Sequence, residues 1–208
     1  MNFDRIAPFY RTMEFVTAGG KLQVCRTAFL GEIRVPRKIL IAGEGHGRFL
    51  LECVRRFPDA RIVVVDSSAR MLEIARRKVA SDRVEFVQAD FLEFIGPSGD
   101  FDLIVTHFFL DCFTAEELPQ VIVKLARMAS PAADWLLADF EIAPAGAARW
   151  RSQIIVGMLY RFFKGVTGLR ASSLISPDGE IQKTGFARHC RASYDWGLLK
   201  SEWWQRGG

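Results

Sequence analysis

No stretch of the 208-residue chain approaches the roughly 20 apolar residues that a membrane span needs. The opening MNFDRIAPFYRTMEF has acids and arginines where a secretory signal needs an apolar run. Both absences predict a cytoplasmic, reducing setting. Cysteine is scarce, with only Cys25, Cys53, Cys112 and Cys190. No two of them form a CxxC pair, which excludes a zinc ribbon or a thioredoxin-type motif. Their wide spacing argues against a small disulfide framework, so reduced thiols and no metal are expected. There is no internal repeat and no low-complexity segment. Charge excess is slight: 28 basic against 24 acidic residues gives +4, too little by itself to imply a nucleic-acid partner. The length suits one α/β domain with a sizeable core and is too short for two.

One absence is local. Residues 142–177 contain no acid but five bases, Arg149, Arg151, Arg161, Lys164 and Arg170, among many large apolar side chains. From Ile142 onward there are ten bases and four acids, which leaves the first 141 residues at −2. The positive field therefore belongs to the C-terminal third.

Short apolar runs alternate with stretches of helical period, the pattern of a parallel α/β sheet. Strands are predicted over 38–42, 61–66, 84–87, 101–105 and 135–140, and helices over 48–57, 68–80 and 116–128. A helix is expected over 147–164. The runs Phe186–Tyr194 and Leu198–Trp204 then suggest an antiparallel hairpin at the sheet edge, although the Asn/Asp-Gly turn signal is missing.

Gly43-Glu44-Gly45-His46-Gly47 joins the first strand to the first helix. Glycines there permit a tight turn and close approach of a ligand to the positive end of a helix. The dinucleotide fingerprint requires a further glycine at position 48, where Arg48 stands, and this disfavours a nicotinamide or flavin enzyme. Asp66 ends the second strand 19 residues beyond Gly47. In a doubly wound sheet its carboxylate lies beside the glycine loop and can accept both hydroxyls of a ribose; the competing role is a helix N-cap. Asp90 repeats this geometry after the third strand, where it could accept from an adenine amino group with Phe91 beside it.

The segments KILIAGEGHGRFLLECVRRFPDARIVVVDSSARMLEIARRK, VEFVQADF and FDLIVTHFF, in this order over residues 38–140, resemble class I S-adenosylmethionine-dependent methyltransferases. The opening FDRIAPFY is similar to the N-terminal segment of menaquinone and ubiquinone C-methyltransferases. The resemblance implies a Rossmann-like, doubly wound, seven-stranded and mostly parallel sheet with the antiparallel hairpin last. It implies S-adenosyl-L-methionine as cofactor, bound by Gly43, Glu44, Gly45, Asp66, Ser67, Met71, Asp90, Phe91 and Thr106, with Tyr10 reaching over it from an N-terminal lid. One departure stands out. The family usually has an acid two residues before the first glycine, and here that position is Ile41. Glu44 is then the candidate to supply the charge for the cofactor's ammonium.

On this reading the chain is a single domain: a helical lid over 1–37, a cofactor-binding core over 38–140, a basic and aromatic acceptor-side insertion over 141–183, and a closing hairpin over 184–208. His107 and Asp111 would share a face if Thr106 to Phe113 formed a helical turn, which would make a base and its orienter; a capping histidine and a surface aspartate are the alternative. Tyr160, Phe162 and Phe163 are candidate acceptor contacts. Their segment reads as core packing with a solvated face, as a lid over a lipophilic or anionic acceptor, or as a surface touching anionic membrane. No nucleic-acid partner is expected. The competing functions are a nucleotide-binding module without catalysis and an NAD-dependent oxidoreductase.

Overall fold

A computed structural model describes residues 20–207. The apolar runs become strands β1 (Lys38–Ala42), β2 (Arg61–Asp66), β3 (Val84–Gln88), β4 (Phe101–His107), β5 (Ala129–Phe140), β6 (Phe186–Tyr194) and β7 (Leu199–Arg206). They form one sheet in the order β3-β2-β1-β4-β5-β7-β6. The first five are parallel, and β7 runs antiparallel to both β5 and β6. The strand order reverses direction between β1 and β4, which opens a crevice at their carboxyl ends.

The helices are α1 (Lys21–Thr27), α2 (Arg48–Arg56), α3 (Ala69–Lys78), α4 (Leu118–Met128), α5 (Gly146–Thr167) and α6 (Asp178–Lys183). Periodicity places their apolar stripes against the sheet. Phe49, Leu50 and Cys53 of α2 and Leu72 and Ala75 of α3 pack on Ile39, Ile41, Ile62 and Val64. On the other face, Leu118, Val121, Ile122 and Leu125 of α4 pack with Leu40, Ile104, Trp135 and Trp204. Ile41, where the family usually has an acid, is thus a core residue of the first layer. A third cluster, with Leu22, Cys25, Ala138, Val156 and Leu198, joins α1 and α5 to the end of β5.

Local chemistry sets the boundaries. Ser68 caps α3 by accepting from the Met71 N–H at 3.1 Å. Bases Arg76, Arg77 and Lys78 occupy its last turn, where the helix dipole favours them. Helix α2 has no acid in its first turn and no side-chain cap from Gly47. Glu44 does that work instead: its Oε1 accepts from the Leu50 N–H at 2.9 Å.

The hairpin departs from a simple turn. Its link is a 3-10 turn, Asp195–Gly197, with Asp195 and Trp196 both in the left-handed region. Salt links rather than turn residues hold it, because buried Asp195 pairs with Lys21 of α1 and, at 2.9 Å, with Arg151 of α5. Strand β5 starts at Ala129, earlier than the expected 135, because Ala129 still pairs with Phe101 across a register shift. Helix α6 was not legible in the sequence. Along β7, the fully buried Glu202 accepts from Trp204 Nε1 at 3.1 Å and from Arg188 at 3.2 Å, and Lys200 beside it reaches Asp178 of α6 at 2.8 Å. Burying these ions is tolerable only because each has partners.

Two consequences are measurable. A Cβ on Gly47, which has φ +71°, would lie 2.9 Å from the Ala75 Cα, whereas one on Gly45 meets nothing within 4 Å. Gly47→Ala should therefore lower stability by about 2–4 kcal/mol in chemical denaturation, and Gly45→Ala by about 1–2 kcal/mol, from left-handed strain alone. Burial pushes the Glu44 carboxyl up to about 7, against the pull of the Leu50 and Phe49 N–H groups and of Arg26 and Lys78. The folded protein then holds a proton that the unfolded chain releases, so stability falls as pH rises from about 4.5 to about 7. Glu44→Gln keeps the acceptor oxygen and should be more stable than the parent by about 1–3 kcal/mol at pH 8, with no gain near pH 4. Thermal unfolding across that range tests the sign.

Candidate active site

The crevice holds a cavity of about 150 Å³. One half is built from the turns after β1, β2 and β3: Gly43, Gly45, Val65, Asp66, Ser67, Met71, Ala89, Asp90 and Phe91. The other half is apolar and comes from α1, the β4 and β5 ends and α5: Leu22, Phe108, Phe140, Val156, Leu159, Tyr160, Phe163 and Leu169. Asp111, Cys112 and Phe113 also line the cavity.

Glycine is required at Gly43, where φ is +73° and a Cβ would come within 2.5 Å of the Phe109 ring. The loop therefore presents backbone to the cavity. Asp66 is fixed from below: its two oxygens accept from the Ser68 N–H at 2.9 Å and the Gly45 N–H at 3.3 Å. Asp90 is held by the Leu92 N–H at 3.0 Å. Behind it, the Phe91 ring meets Phe109 edge to face at 5.4 Å and forms an apolar wall. Lys124 of α4 clamps this turn by donating to the Phe91 carbonyl at 3.1 Å.

Several expected contacts lie elsewhere in the structure. Thr106 and His107 belong to β4 rather than to a helical turn, and Phe108 follows them in the left-handed region. Adjacent strand residues face opposite ways. Thr106 accepts from Trp135 Nε1 at 2.9 Å inside the α4 layer and does not line the cavity. His107 enters the α2 layer, edge-on to Phe49 at 4.4 Å. Neither of its ring nitrogens has a hydrogen-bond partner among the described residues. Burial, with Arg26 nearby, lowers its pKa well below the ordinary value, so it stays neutral. His107 lines a separate, smaller cavity of about 20 Å³ behind the glycine loop, whereas Asp111 lines the main one, so the expected pair does not form. Glu44 and His46 also line the smaller cavity, and the Glu44 carboxylate is committed to α2. Phe162 is 44% exposed on the outer side of α5 and only its neighbour Phe163 lines the cavity. Tyr10 lies outside the described residues. His189 packs on Trp203 at 4.4 Å on β6.

The structure adds one residue and one pairing. Arg26 of α1 lines both cavities, and its guanidinium lies over the Phe108 ring at 5.1 Å. It is far from the loop in sequence, and only the fold brings it there. The second is a carboxyl pair. Asp139, one residue before the end of β5, is buried, and burial together with the Asp111 charge pushes its pKa well up, against Lys200. Asp111 itself is pushed up to about 6 by burial, against a hydrogen bond from the Cys112 thiol. Tyr160 closes this corner by donating its hydroxyl to the Asp111 carbonyl at 2.8 Å.

A family model described as a methyltransferase domain matches residues 39–132. Demethylmenaquinone methyltransferase of Deinococcus radiodurans is 28% identical over 148 residues, covering 69% of this chain and 61% of that protein. Malonyl-[acyl-carrier protein] O-methyltransferase of Priestia megaterium is 33% identical over 102 residues, covering 49% of this chain and 36% of that protein. The chain thus spans about a third to three-fifths of the length of these two relatives. Among solved structures, an O-methyltransferase family protein from Burkholderia thailandensis superposes with a TM-score of 0.68 at 21% identity, over 97% of this chain and 61% of that one. N-methyltransferase NodS from Bradyrhizobium japonicum, in complex with S-adenosyl-l-homocysteine, gives 0.61 at 14% identity over 97% and 89%. The family match takes in β1 through the start of β5, the same stretch whose turns build the polar half of the crevice. That match, the similar proteins and the shared fold together support a class I S-adenosylmethionine-dependent methyltransferase.

Proposed function

We propose that this chain transfers a methyl group from S-adenosyl-L-methionine to a small lipophilic acceptor. The observation that carries this reading is one cavity with two chemically distinct halves, a glycine-and-carboxylate half and an apolar half lined by α5. The polar half fits the cofactor. Asp66 offers acceptors to ribose hydroxyls, Asp90 offers one to an amino group, and Met71 and Phe91 supply apolar walls for a base. Arg26 is the cation beside the loop for a ligand carboxylate. Bound there, S-adenosylmethionine supplies a methyl group already activated on a sulfonium, so the protein's main task is to hold the acceptor in line.

The apolar half fits a lipophilic acceptor, as does the similarity to a protein named for demethylmenaquinone. Where the acceptor must lose a proton, Asp111 is the candidate base, since it lines the cavity and a pKa of about 6 leaves it largely ionised at neutral pH. This replaces His107 in that role.

Asp66→Ala should weaken S-adenosylmethionine binding by about ten- to a hundredfold in calorimetry while the protein stays folded, because hydrogen bonds to a charged group are lost. Unchanged affinity in a folded variant would remove the ribose assignment. Methyl transfer from labelled cofactor to a lipid-soluble metabolite extract separates an enzyme from a module that only binds nucleotides. With an acceptor in hand, turnover should rise with pH through about 6. Asp111→Asn should be slow at every pH and lose that rise.

A further inference from the structure

Helix α5 has two working faces. Val156, Leu159, Tyr160 and Phe163 line the cavity. On the opposite side Trp150, Ile154, Met158 and Phe162 recur every four residues and are 70%, 40%, 56% and 44% exposed. At 1.5 Å per residue this 22-residue helix is about 33 Å long, so the apolar side chains form a ridge rather than a patch. Trp196, 78% exposed, belongs to the same surface. Its turn is fastened to the first turns of α5 by Arg151, which donates to the Asp195 carbonyl at 3.1 Å and pairs with the Asp195 carboxylate. A bulky residue in the left-handed region is costly, yet Trp196 is held there at φ 61° with its ring in water.

The charges carried by α5 and its flanks within 142–177 have one sign. Residues 142–177 contain no acid. Arg149, Arg161 and Lys164 are exposed, and no acidic partner meets any of them among the described residues. Aromatic side chains flanked by bases whose stems can lie along an apolar surface suit the boundary between lipid headgroups and acyl chains. A second copy of the chain suits it poorly. In a two-fold contact through this ridge, Arg149, Arg161 and Lys164 would face their own kind without compensating acids.

We infer that the outer ridge of α5, together with Trp196, docks the protein on the surface of an anionic phospholipid bilayer. Docking in this way places the acceptor half of the cavity one helix thickness from the lipid. The inference stands on the surface alone and does not need the methyl-transfer reading.

The test is flotation of the full chain with vesicles of phosphatidylglycerol or of phosphatidylcholine. Binding is expected to the first and not the second, and to weaken as salt is raised from roughly 0.05 to 0.5 M. Trp150→Ser combined with Trp196→Asn should lower partitioning by about tenfold or more. Asparagine suits the left-handed backbone. Arg161→Glu with Lys164→Glu, two exposed changes outside the core, should do the same. S-adenosylhomocysteine affinity should stay unchanged in both, which reports on fold and cofactor site separately. Absence of vesicle binding by the parent overturns the inference, as does binding retained by both folded variants. So does a parent dimer that the variants convert to monomer without any vesicle binding.

Discussion

The molecule turns on the sharp reversal of backbone between β1 and α2. Gly43, Gly45 and Gly47 all take positive φ within five residues. That turn brings α2 back over the sheet at once, lets Gly47 touch the backbone of α3, and leaves Gly43 and Gly45 on the wall of the crevice. A side chain at the first or third glycine would push apart elements that everything else is packed against. The same turn orients the Gly45 N–H toward Asp66, so the carboxylate at the end of β2 is positioned by the loop it works beside. Structural and ligand-facing demands thus fall on neighbouring atoms.

Much of this was legible along the chain because short-range pattern carries it. A strand covered on both faces needs no alternation of apolar and polar residues. Arg61 to Val65 is accordingly an unbroken apolar run after its first residue, and it folds as β2. Asp66 and Asp90 were readable because each closes or shortly follows such a run. What was not legible depends on contacts between distant segments. Thr106 and His107 looked like the start of a helical turn, but pairing with β5 extends β4 through both of them and sends their side chains to opposite layers. Glu44 looked like a charge for a ligand, and the unsatisfied first turn of α2 claimed it. Arg26 had no local signal at all.

Electrostatics differ between the two ends of the cavity. The polar half presents carboxylates tied to backbone N–H groups, which fixes their direction. Elsewhere in the site, Asp111 and Asp139 are buried near one another, and each carboxyl's burial raises the cost of charging. Like charges in a low-dielectric corner do not both ionise readily, so one proton tends to remain with the pair. The hydroxyl of Tyr160 bonds the Asp111 backbone and not its side chain, whose carboxyl instead accepts from the Cys112 thiol.

The strand order has a consequence for how the sheet is assembled. β6 leaves the ribosome before β7, yet β7 is its neighbour in the sheet and separates it from β5. Until the Leu199–Arg206 stretch has emerged, β5 has an open edge and β6 has no strand to join. Glu202, Trp203 and Trp204, which fill that gap and find partners on both sides of it, arrive together. β6 can therefore join the sheet only through β7. During translation the exposed edge of β5 is the surface most in need of protection from pairing with another nascent chain.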